Sequence, residues 1–324
     1  LASDANPTLD GAALERELDG VELELGRNVL GNAEAVVVSP GILPDAPILA
    51  EATQTGRELV AELELGARCS DRPLVAITGT DGKTTTTMLC AHILQKAGMG
   101  AIEAGNIGVP LCEVLLDGTP GLLVVEVSAF QLLHCARFAP HVLIATNIAE
   151  DHMDYFKGDW AGYVAAKRRP LANMKAADHV VLNASHEEIR RWQAHCHSQP
   201  LWYGFDADVP AGRPRALGNE QRLRFELDSD FEQALAPTAL RGRHNVLNGL
   251  AAGLGAVAAG ANPNALGAAF ADFRLPPHRI ELVGSRHGVR FVDDSKATNP
   301  HAAMAGLRTV AAPVVLIAGG VDKG

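Results

Sequence analysis

The sequence has few of the features that are typical of membrane, secreted or nucleic-acid-binding chains. No stretch reaches the ~18 apolar residues that a membrane span needs, and the nearest, 249–260, predicts a short buried helix. The five cysteines are scattered and include no CxxC pair, which predicts free thiols in a reducing cytoplasm. The formal net charge is −10, which argues against nucleic acid as a partner because phosphate backbones bind basic surfaces.

The 324 residues are 47% apolar, and short apolar runs alternate with helix-like segments along most of the chain. The apolar runs are continuous, which is typical of parallel strands covered by helices on both faces. This rhythm predicts a doubly wound α/β fold. The predicted strands are 35–39, 74–78, 121–127, 141–147, 178–183 and 313–320. The predicted helices are 46–67, 84–97, 160–169, 185–195, 243–260 and 299–308.

Three parts are expected, separated by two polar, proline-containing connections at 67–73 and 273–279. They are a partial N-terminal part, a central domain with a parallel sheet, and the start of a C-terminal domain. Residues 200–227 break the α/β rhythm and predict a small antiparallel addition. Because the last part is too short for a complete α/β domain, the chain is expected to be truncated there; Leu1 also suggests a start within a longer protein. The parts are 1–71, 72–275 and 276–324.

The stretch ITGTDGKTTTT, residues 77–87, follows a predicted strand and opens a predicted helix. Gly79 lies only three positions before Gly82, so the loop is shorter than the usual P-loop pattern. The order strand, loop, helix nevertheless delivers backbone N–H groups and a helix N-terminus to one point, which predicts an anion site. Lys83 would then bind the β- and γ-phosphates and Thr84 would bind Mg²⁺. The alternative is a plain turn with an exposed lysine.

A carboxylate ends the next buried strand, in LLVVEVSAFQL. Burying a lone Glu126 is costly unless it is paired or bound to a metal, so Mg²⁺ shared with Thr84 is one solution. Ser128 and Gln131 follow it at the same edge of the predicted sheet. The alternative is a partly exposed glutamate at a strand end.

A third strand end, in HVLIATNIAEDHMDYF, is followed by Asn147, Asp151, His152 and Asp154. A histidine between two aspartates suits a metal ligand or an acid–base group, although a surface histidine in an acidic turn is equally compatible with the pattern. Ligands of open α/β sheets collect at strand ends, so the three strand ends are expected to converge.

The order of these motifs resembles that of the Mur ligases, the ATP-dependent enzymes that build the peptidoglycan stem peptide. The resemblance is carried by GTDGKTT, EVSAFQL, TNIAEDHMDYF with YVAAKRR, and GRHNVLNGLAA. PPHRIE, VDDSKATNP and IAGGVDKG are similar to the member that adds D-glutamate to UDP-N-acetylmuramoyl-L-alanine. The resemblance runs from about residue 35 to the end. It implies a domain for the UDP-sugar, a central ATPase domain and a closing C-terminal domain that binds the amino acid.

The resemblance also implies a set of site residues. The residues expected at ATP are Gly79, Asp81, Gly82, Lys83, Thr84, Thr85, Asn248, Arg279, Asp294 and Lys296. The residues expected at the other substrates are Asn106, Ser128, Gln131, Asn147, Thr298 and Lys323, of which the last two hold D-glutamate. The ligands expected for two Mg²⁺ ions are Thr84, Glu126, His152 and Lys167, the lysine as a carbamate. The catalytic set is Lys83, His152, Lys167 and Arg279. The loop has an acid, Asp81, where the family has Asn or a similar polar residue.

The chemistry that the resemblance implies is amide formation through an acyl phosphate. Without it, Lys167 would be a helix-face lysine with its head in water. One alternative function is a non-catalytic nucleotide-binding module, which has no need of the later motifs; another is a sister ligase for a different amino acid. The expected partners are small molecules only, with no nucleic acid and no membrane span, and the protein is expected to be a cytoplasmic monomer. A truncated chain is expected to bind nucleotide and turn over poorly.

Overall fold

A computed structural model describes residues 1–320, in which a nine-stranded sheet is covered by helices on both faces. The strands are β1 (Ala2–Asp4), β2 (Leu23–Leu25), β3 (Ala35–Val38), β4 (Glu58–Ala61), β5 (Leu74–Thr78), β6 (Ile102–Gly105), β7 (Leu123–Glu126), β8 (Val142–Ala145), β9 (His179–Asn183), β10 (Leu201–Phe205), β11 (Arg215–Gly218), β12 (Arg222–Glu226), β13 (Phe231–Ala234), β14 (Glu281–Arg286) and β15 (Val289–Asp293).

The helices alternate with the strands through the centre of the chain. They are α1 (Gly11–Glu17), α2 (Pro47–Gln54), α3 (Glu62–Arg68), α4 (Lys83–Lys96), α5 (Leu111–Leu116), α6 (Ala129–Leu133), α7 (Trp160–Arg168), α8 (Glu187–Arg191), α9 (Arg243–Ala258), α10 (Ala265–Asp272) and α11 (Pro300–Leu307), with short 3₁₀ turns at Arg169–Ala172 and Trp192–His195.

The large sheet has the strand order β13-β12-β11-β10-β9-β8-β5-β7-β6, and its strands from β6 to β11 run parallel. Every residue of β5, β7 and β8 is buried. Successive side chains of β5 enter opposite cores, since Val75 and Ile77 pack with α4 and α9 while Leu74 and Ala76 pack with α3 and α5. Burial on both faces explains the continuous apolar runs and confirms the predicted α/β class.

One predicted helix, 46–67, is wrong. Helix α2 ends at Gln54, and the chain then turns at Gly56, whose φ of +73° is a left-handed conformation that glycine adopts readily. β4 and α3 occupy the rest of the predicted helix. β4 pairs in parallel with β3 in a separate two-stranded sheet.

Two predicted strands also differ from the structure. β3 forms, but it is not buried on both faces, since Val37 is 51% exposed. Residues 313–320 form no strand: Val315 is 92% exposed and Ile317 96%. An apolar run becomes a buried strand only where a neighbouring strand pairs with it and a helix covers it, and residues 1–320 supply neither for this segment.

The segment 200–227 is only partly antiparallel. β10 pairs in parallel with β9, and β11 pairs in parallel with β10, so the sheet continues its parallel order through this region. Antiparallel pairing begins between β11 and β12 and continues to β13 at the edge. The prediction of an antiparallel addition therefore holds for its second half.

The segment just before the first predicted boundary contributes to the core of the central sheet. Ala61 and Leu63, before the predicted boundary at 71, lie in the same core as Leu74 and Leu123. After the second boundary, β14 and β15 form an antiparallel hairpin that leads to α11. The division at residues 71 and 275 stays a prediction. Within residues 1–320, no helix combines the length and apolar character needed to cross a bilayer, and the five cysteines, all in this range, are free.

Candidate active site

The loop after β5 connects the centre of the sheet to the first turn of α4. Gly82 precedes α4 with a φ of +79°, and a Cβ added there would overlap the side chain of Asn248 on α9. Gly79 has a φ of +140°, and a Cβ added there would overlap the hydroxyl of Thr146. The two glycines are therefore needed for backbone conformation and for close approach, as expected of a loop that exposes its N–H groups to an anion.

Lys83 is the first residue of α4, and its side chain extends back over this loop. Its ammonium donates to the carbonyl oxygens of Gly79 at 3.1 Å and Thr80 at 2.8 Å. The positive charge therefore lies over the loop, beside the N-terminal end of α4, where the helix dipole also favours an anion.

Glu126 lies at the end of β7, beside β5, and is only 2% exposed. The hydroxyl of Thr84 donates to one carboxylate oxygen at 2.8 Å, and the amide of Asn106 donates to the other at 2.7 Å. No lysine, arginine or histidine of residues 1–320 forms an ion pair with it. The two partners of this buried carboxylate are therefore neutral donors, and a cation would be its first charged partner within the described chain.

Lys167 on α7 is also buried, with 2% of its surface exposed. Its amine donates to the carbonyl of Gly79 at 2.7 Å and lies 4.7 Å from the centre of the Tyr163 ring. Burial, and next the charge of Lys83, hold the pKa of Lys167 well below its ordinary value, against the opposing effect of Asp151 and other acids. The amine is therefore biased toward its neutral form.

His152 follows β8, the strand on the other side of β5. It adopts a left-handed φ of +56°, its Nε2 lies 3.5 Å from a carboxylate oxygen of Asp151, and its ring contacts Phe130 edge-on at 4.8 Å. Its side chain is 37% exposed. The order β8-β5-β7 thus brings the loop, Glu126 and His152 to one edge of the sheet, as the sequence predicts.

A cavity of about 530 Å³ opens on the other side of the loop, toward α9 and the C-terminal segment. Seven of the predicted site residues line it: Asp81, Gly82, Thr85, Asn147, Asn248, Arg279 and Asp294. Arg279 is close enough to Asp294 to oppose the rise in that carboxyl's pKa that burial causes. A cavity of this size, with an anion-binding loop in its wall, can hold a nucleotide.

Other predicted residues have different surroundings. Ser128 and Gln131 form a reciprocal capping box at the start of α6 and are both buried. The side chain of Asn147 accepts from the backbone N–H of Asp81 at 2.9 Å and donates to its carbonyl at 3.0 Å. These three therefore have structural roles in the architecture of the site, whatever they bind.

Two residues assigned to the C-terminal part, both within the described chain, are not among the side chains gathered at the loop. Lys296 and Thr298 are exposed and lie outside the cavity lining within the described chain. Lys323 falls outside the described residues, so its predicted contact stays a prediction.

Several cavity residues were not predicted from sequence: Asn183, His186, Tyr203, Phe205, Arg243, His244 and His301. Arg243 lies over the ring of Phe205 at 3.9 Å. Burial, and next the charge of Arg279, lower the pKa of His244 to about 4. The sequence indicates these residues only through their position in or beside a motif. His244 lies inside GRHNVLN, and His301 directly follows TNP, the end of VDDSKATNP.

Known proteins similar to this chain share both its sequence and its fold. Residues 77–256 match the Mur ligase middle domain. The UDP-N-acetylmuramoylalanine--D-glutamate ligase of Salinibacter ruber is 37% identical, over 97% of this chain and 71% of that protein. The chain belongs to the Mur ligase family. The protein of the same name from Aquifex aeolicus is 37% identical, over 94% of this chain and 70% of its own length.

Solved structures place this Mur ligase in the same fold. A pseudomurein peptide ligase type C from Methanothermus fervidus superposes with a TM-score of 0.58 at 20% identity, covering 95% of this chain and 71% of that one. A murein peptide ligase from Psychrobacter arcticus gives 0.60 at 18% identity, covering 94% of this chain and 69% of that one. At these identities the likeness establishes the fold alone.

Proposed function

We propose that this Mur ligase joins D-glutamate to UDP-N-acetylmuramoyl-L-alanine and converts ATP to ADP and phosphate. The observation that carries the proposal is the 2.8 Å contact between Thr84, at the start of the helix after the phosphate loop, and the buried Glu126. It joins an anion-binding loop to a carboxylate, as a metal–triphosphate complex requires. The choice of D-glutamate is supported by relatives that are named for it and are 34–37% identical to this chain.

The nucleotide would occupy the cavity between the loop and α9. The loop N–H groups with Lys83, Thr84 and Thr85 would bind the phosphates. Asn248, which packs on the loop at Gly82, would lie at the adenine base. Asp294 in the cavity lining, and Lys296 from outside it, would lie toward the ribose and phosphates. Arg279 lines the same cavity and would approach the terminal phosphate.

The residues around Glu126 fit a magnesium ion. Carboxylate and hydroxyl oxygens are the hard ligands that Mg²⁺ prefers, and Glu126 with Thr84 supplies both within hydrogen-bond distance. The ion would neutralise phosphate charge as two anions approach.

A second ion is proposed near His152 and Lys167, with Lys167 as a carbamate. A protonated lysine has no lone pair with which to ligate a cation, whereas the neutral amine can add CO₂ and release a proton to solvent, which gives a carboxylate-like group. The buried position and lowered pKa of Lys167 favour the neutral amine that this addition needs. His152 would be its neighbour.

The chain's own residues would act chiefly by placing charges. In the first step the L-alanine carboxylate of the substrate attacks the γ-phosphorus, forming an acyl phosphate and releasing ADP. Lys83 and Arg279 stabilise the phosphoryl oxygens as charge builds on them. In the second step the neutral amine of D-glutamate attacks the acyl carbon, phosphate leaves, and His152 or a nearby carboxylate accepts the amine proton.

The remaining substrate contacts are proposals of the same kind. Asn106, Ser128, Gln131 and Asn147 would face the muramoyl substrate. Thr298 and Lys323 would hold D-glutamate when the C-terminal part closes over the site, which excludes water from the acyl phosphate. In this proposal residues 1–71 bind the UDP-sugar, 72–275 bind ATP, and 276–324 begin the amino-acid-binding domain. The protein is proposed to act as a cytoplasmic monomer.

The test is release of ADP from purified protein supplied with ATP, Mg²⁺, UDP-N-acetylmuramoyl-L-alanine and each candidate amino acid in turn. ADP release and a new amide product with D-glutamate, and neither with L-alanine or diaminopimelate, support the proposal. The same activity with a diamino acid in place of D-glutamate would identify a sister ligase. Binding of ATP with no amide product under any condition would identify a nucleotide-binding module.

A further inference from the structure

An acidic side chain lies inside the phosphate loop. Asp81 stands between Thr80 and Gly82, and its side chain is 20% exposed toward the nucleotide cavity. A bare carboxylate at this position would repel a triphosphate, since like charges a few ångströms apart disfavour each other. The loop can therefore bind phosphate well only if this charge is compensated.

The compensation comes from the start of α11, more than 200 residues later in the chain. One oxygen of Asp81 accepts from the amide of Asn299 at 3.0 Å. The other pairs with the imidazole of His301 at 2.6 Å. Both oxygens of the carboxylate thus have a partner on the C-terminal segment.

We propose that Asp81, Asn299 and His301 form a clasp that docks the C-terminal segment onto the phosphate loop and turns the oxygens of the loop's acid toward hydrogen-bonding partners on that segment, so that docking of this segment sets the affinity for ATP. The inference rests on the proposed function. Asp81 is then a positioning residue that acts through the C-terminal segment and is not itself a ligand of the nucleotide.

The local structure of α11 suits this role. The side chain of Asn299 caps the helix by accepting from the N–H of Ala302 at 2.8 Å, and its amide group still reaches Asp81 and, at 3.4 Å, Asp151. One side chain therefore both starts the helix and ties it to the loop. The positive end of the helix dipole also faces Asp81, which favours the carboxylate further.

A second contact fixes the other end of α11. Thr309, just after the helix, lies against Gly242 at the start of α9, where a Cβ would overlap its methyl group. With this end packed, the clasp decides the position of the helix start. Thr298, the residue directly before Asn299, is proposed to bind D-glutamate, so the clasp also positions an amino-acid contact relative to the phosphates.

The experiment is a double-mutant cycle on binding of the non-hydrolysable analogue β,γ-methylene-ATP with Mg²⁺, measured by calorimetry. His301→Ala leaves one oxygen of the acid without its partner and should weaken binding about tenfold. In an Asp81→Asn background, which retains an acceptor for Asn299 but carries no charge, the same change should weaken binding less than about twofold. His301→Lys, which places an ammonium donor beside Asp81, should restore most of the affinity. Equal losses in the two backgrounds would overturn the clasp.

A matched control uses a histidine–aspartate pair of the same length elsewhere. His92 on α4 pairs with Asp272 on α10 at 2.6 Å, outside the cavity lining in the described chain. His92→Ala should leave analogue binding within about twofold, since only a surface pair is lost. A tenfold loss of analogue affinity in His92→Ala would mean that deleting any such histidine weakens binding, and the result for His301→Ala would then no longer support the clasp.

A second readout is independent of nucleotide and of turnover. Hydrogen exchange of the amides in α11 should quicken in Asp81→Ala, because the helix start loses its attachment, and should stay unchanged in His92→Ala. Unchanged exchange in Asp81→Ala overturns the docking half of the inference. If the double-mutant cycle shows coupling but the protein forms no amide with D-glutamate, the clasp is supported and the proposed function is rejected. If the protein forms that amide but the cycle shows no coupling, the proposed function is supported and the clasp is rejected.

Discussion

The hydroxyl of Thr84 donates a hydrogen bond of 2.8 Å to the carboxylate of Glu126. The two residues are 42 positions apart and belong to the first turn of α4 and the last position of β7. Because β5 and β7 are neighbours in parallel register, the helix that follows β5 starts beside the end of β7. The contact is thus a direct consequence of the sheet order, and it brings a hydroxyl and a carboxylate together under the phosphate loop.

Glu126→Gln should weaken the use of Mg²⁺. The substitution keeps the shape of the side chain but removes the charge that a hard cation needs. The Mg²⁺ concentration for half-maximal ADP release should rise about tenfold or more, and thermal stability should change little. Titration of Mg²⁺ at saturating ATP measures this half-maximal concentration.

Glu103→Gln is the matched control for this prediction. Glu103 is a half-buried glutamate on β6, the strand beside β7, and burial raises the pKa of its carboxyl. Its removal should leave the Mg²⁺ requirement unchanged. A similar rise in the half-maximal Mg²⁺ concentration in both variants would show that loss of either glutamate charge has the same effect and that Glu126 is not a ligand.

Lys167 should carry CO₂ in the active protein. Protein supplied with ¹³C-bicarbonate should show a carbamate carbon signal in NMR spectra that is absent from Lys167→Ala and present in Lys175→Ala, a control at an exposed lysine. Lys167→Ala should lower ADP release by roughly a hundredfold, the range for loss of one buried electrostatic group at a reacting centre. Full activity of Lys167→Ala, or an unchanged carbamate signal in it, contradicts the proposal.

Burial decided which features of the fold could be predicted from sequence. β5, β7, β8 and β9 are almost wholly buried, so their apolar runs were unambiguous and their ends led directly to Lys83, Glu126 and His152. The helix 46–67 and the strand 313–320 were wrong because local pattern carries no information on which strand, if any, lies alongside. The partners of a strand are set by tertiary pairing.

The polar contacts of the site were harder to predict than its charged residues. Asp81 meets Asn299 and His301 only because α11 docks on the loop, and the sequence separation exceeds 200 residues. Ser128 and Gln131 illustrate the opposite case: the spacing S-x-x-Q before a helix is a capping box, and the structure shows that box. The family resemblance gives these two residues a substrate role that the capping pattern alone does not predict.

Gly82→Ala should damage the phosphate loop more than its backbone conformation alone explains. Its φ of +79° makes any L-residue unfavourable by about 1–2 kcal/mol, and a Cβ would also overlap Asn248. Gly158, with a φ of +76° and nothing within 4 Å of an added Cβ, is the matched control. Urea unfolding should show the larger loss for Gly82→Ala, and only that variant should lose ATP-analogue affinity. Equal losses of stability would contradict the predicted overlap with Asn248.

His244 should make the protein's stability depend on pH between about 4 and 6.5. Its pKa is about 4 in the folded chain, chiefly because of burial, against an ordinary value of 6.5. Between these values the unfolded chain binds a proton that the folded chain does not, so the free energy of unfolding rises with pH across the window. Above pH 6.5 His244 is neutral in both the folded and the unfolded chain, so it no longer makes the free energy of unfolding depend on pH.

His244→Gln should flatten that rise. The difference between 6.5 and about 4 corresponds to about 3 kcal/mol at about 1.4 kcal/mol for each pKa unit, so the variant should lose up to this much of the change in unfolding free energy between pH 4 and 6.5. Two half-buried histidines, His134 and His186, act in the same direction and are common to both proteins. His195→Gln, at an exposed site, is the control and should keep the wild-type profile. Parallel profiles for His244→Gln and wild type would show that His244 is protonated alike in both states and is not buried in the cavity wall.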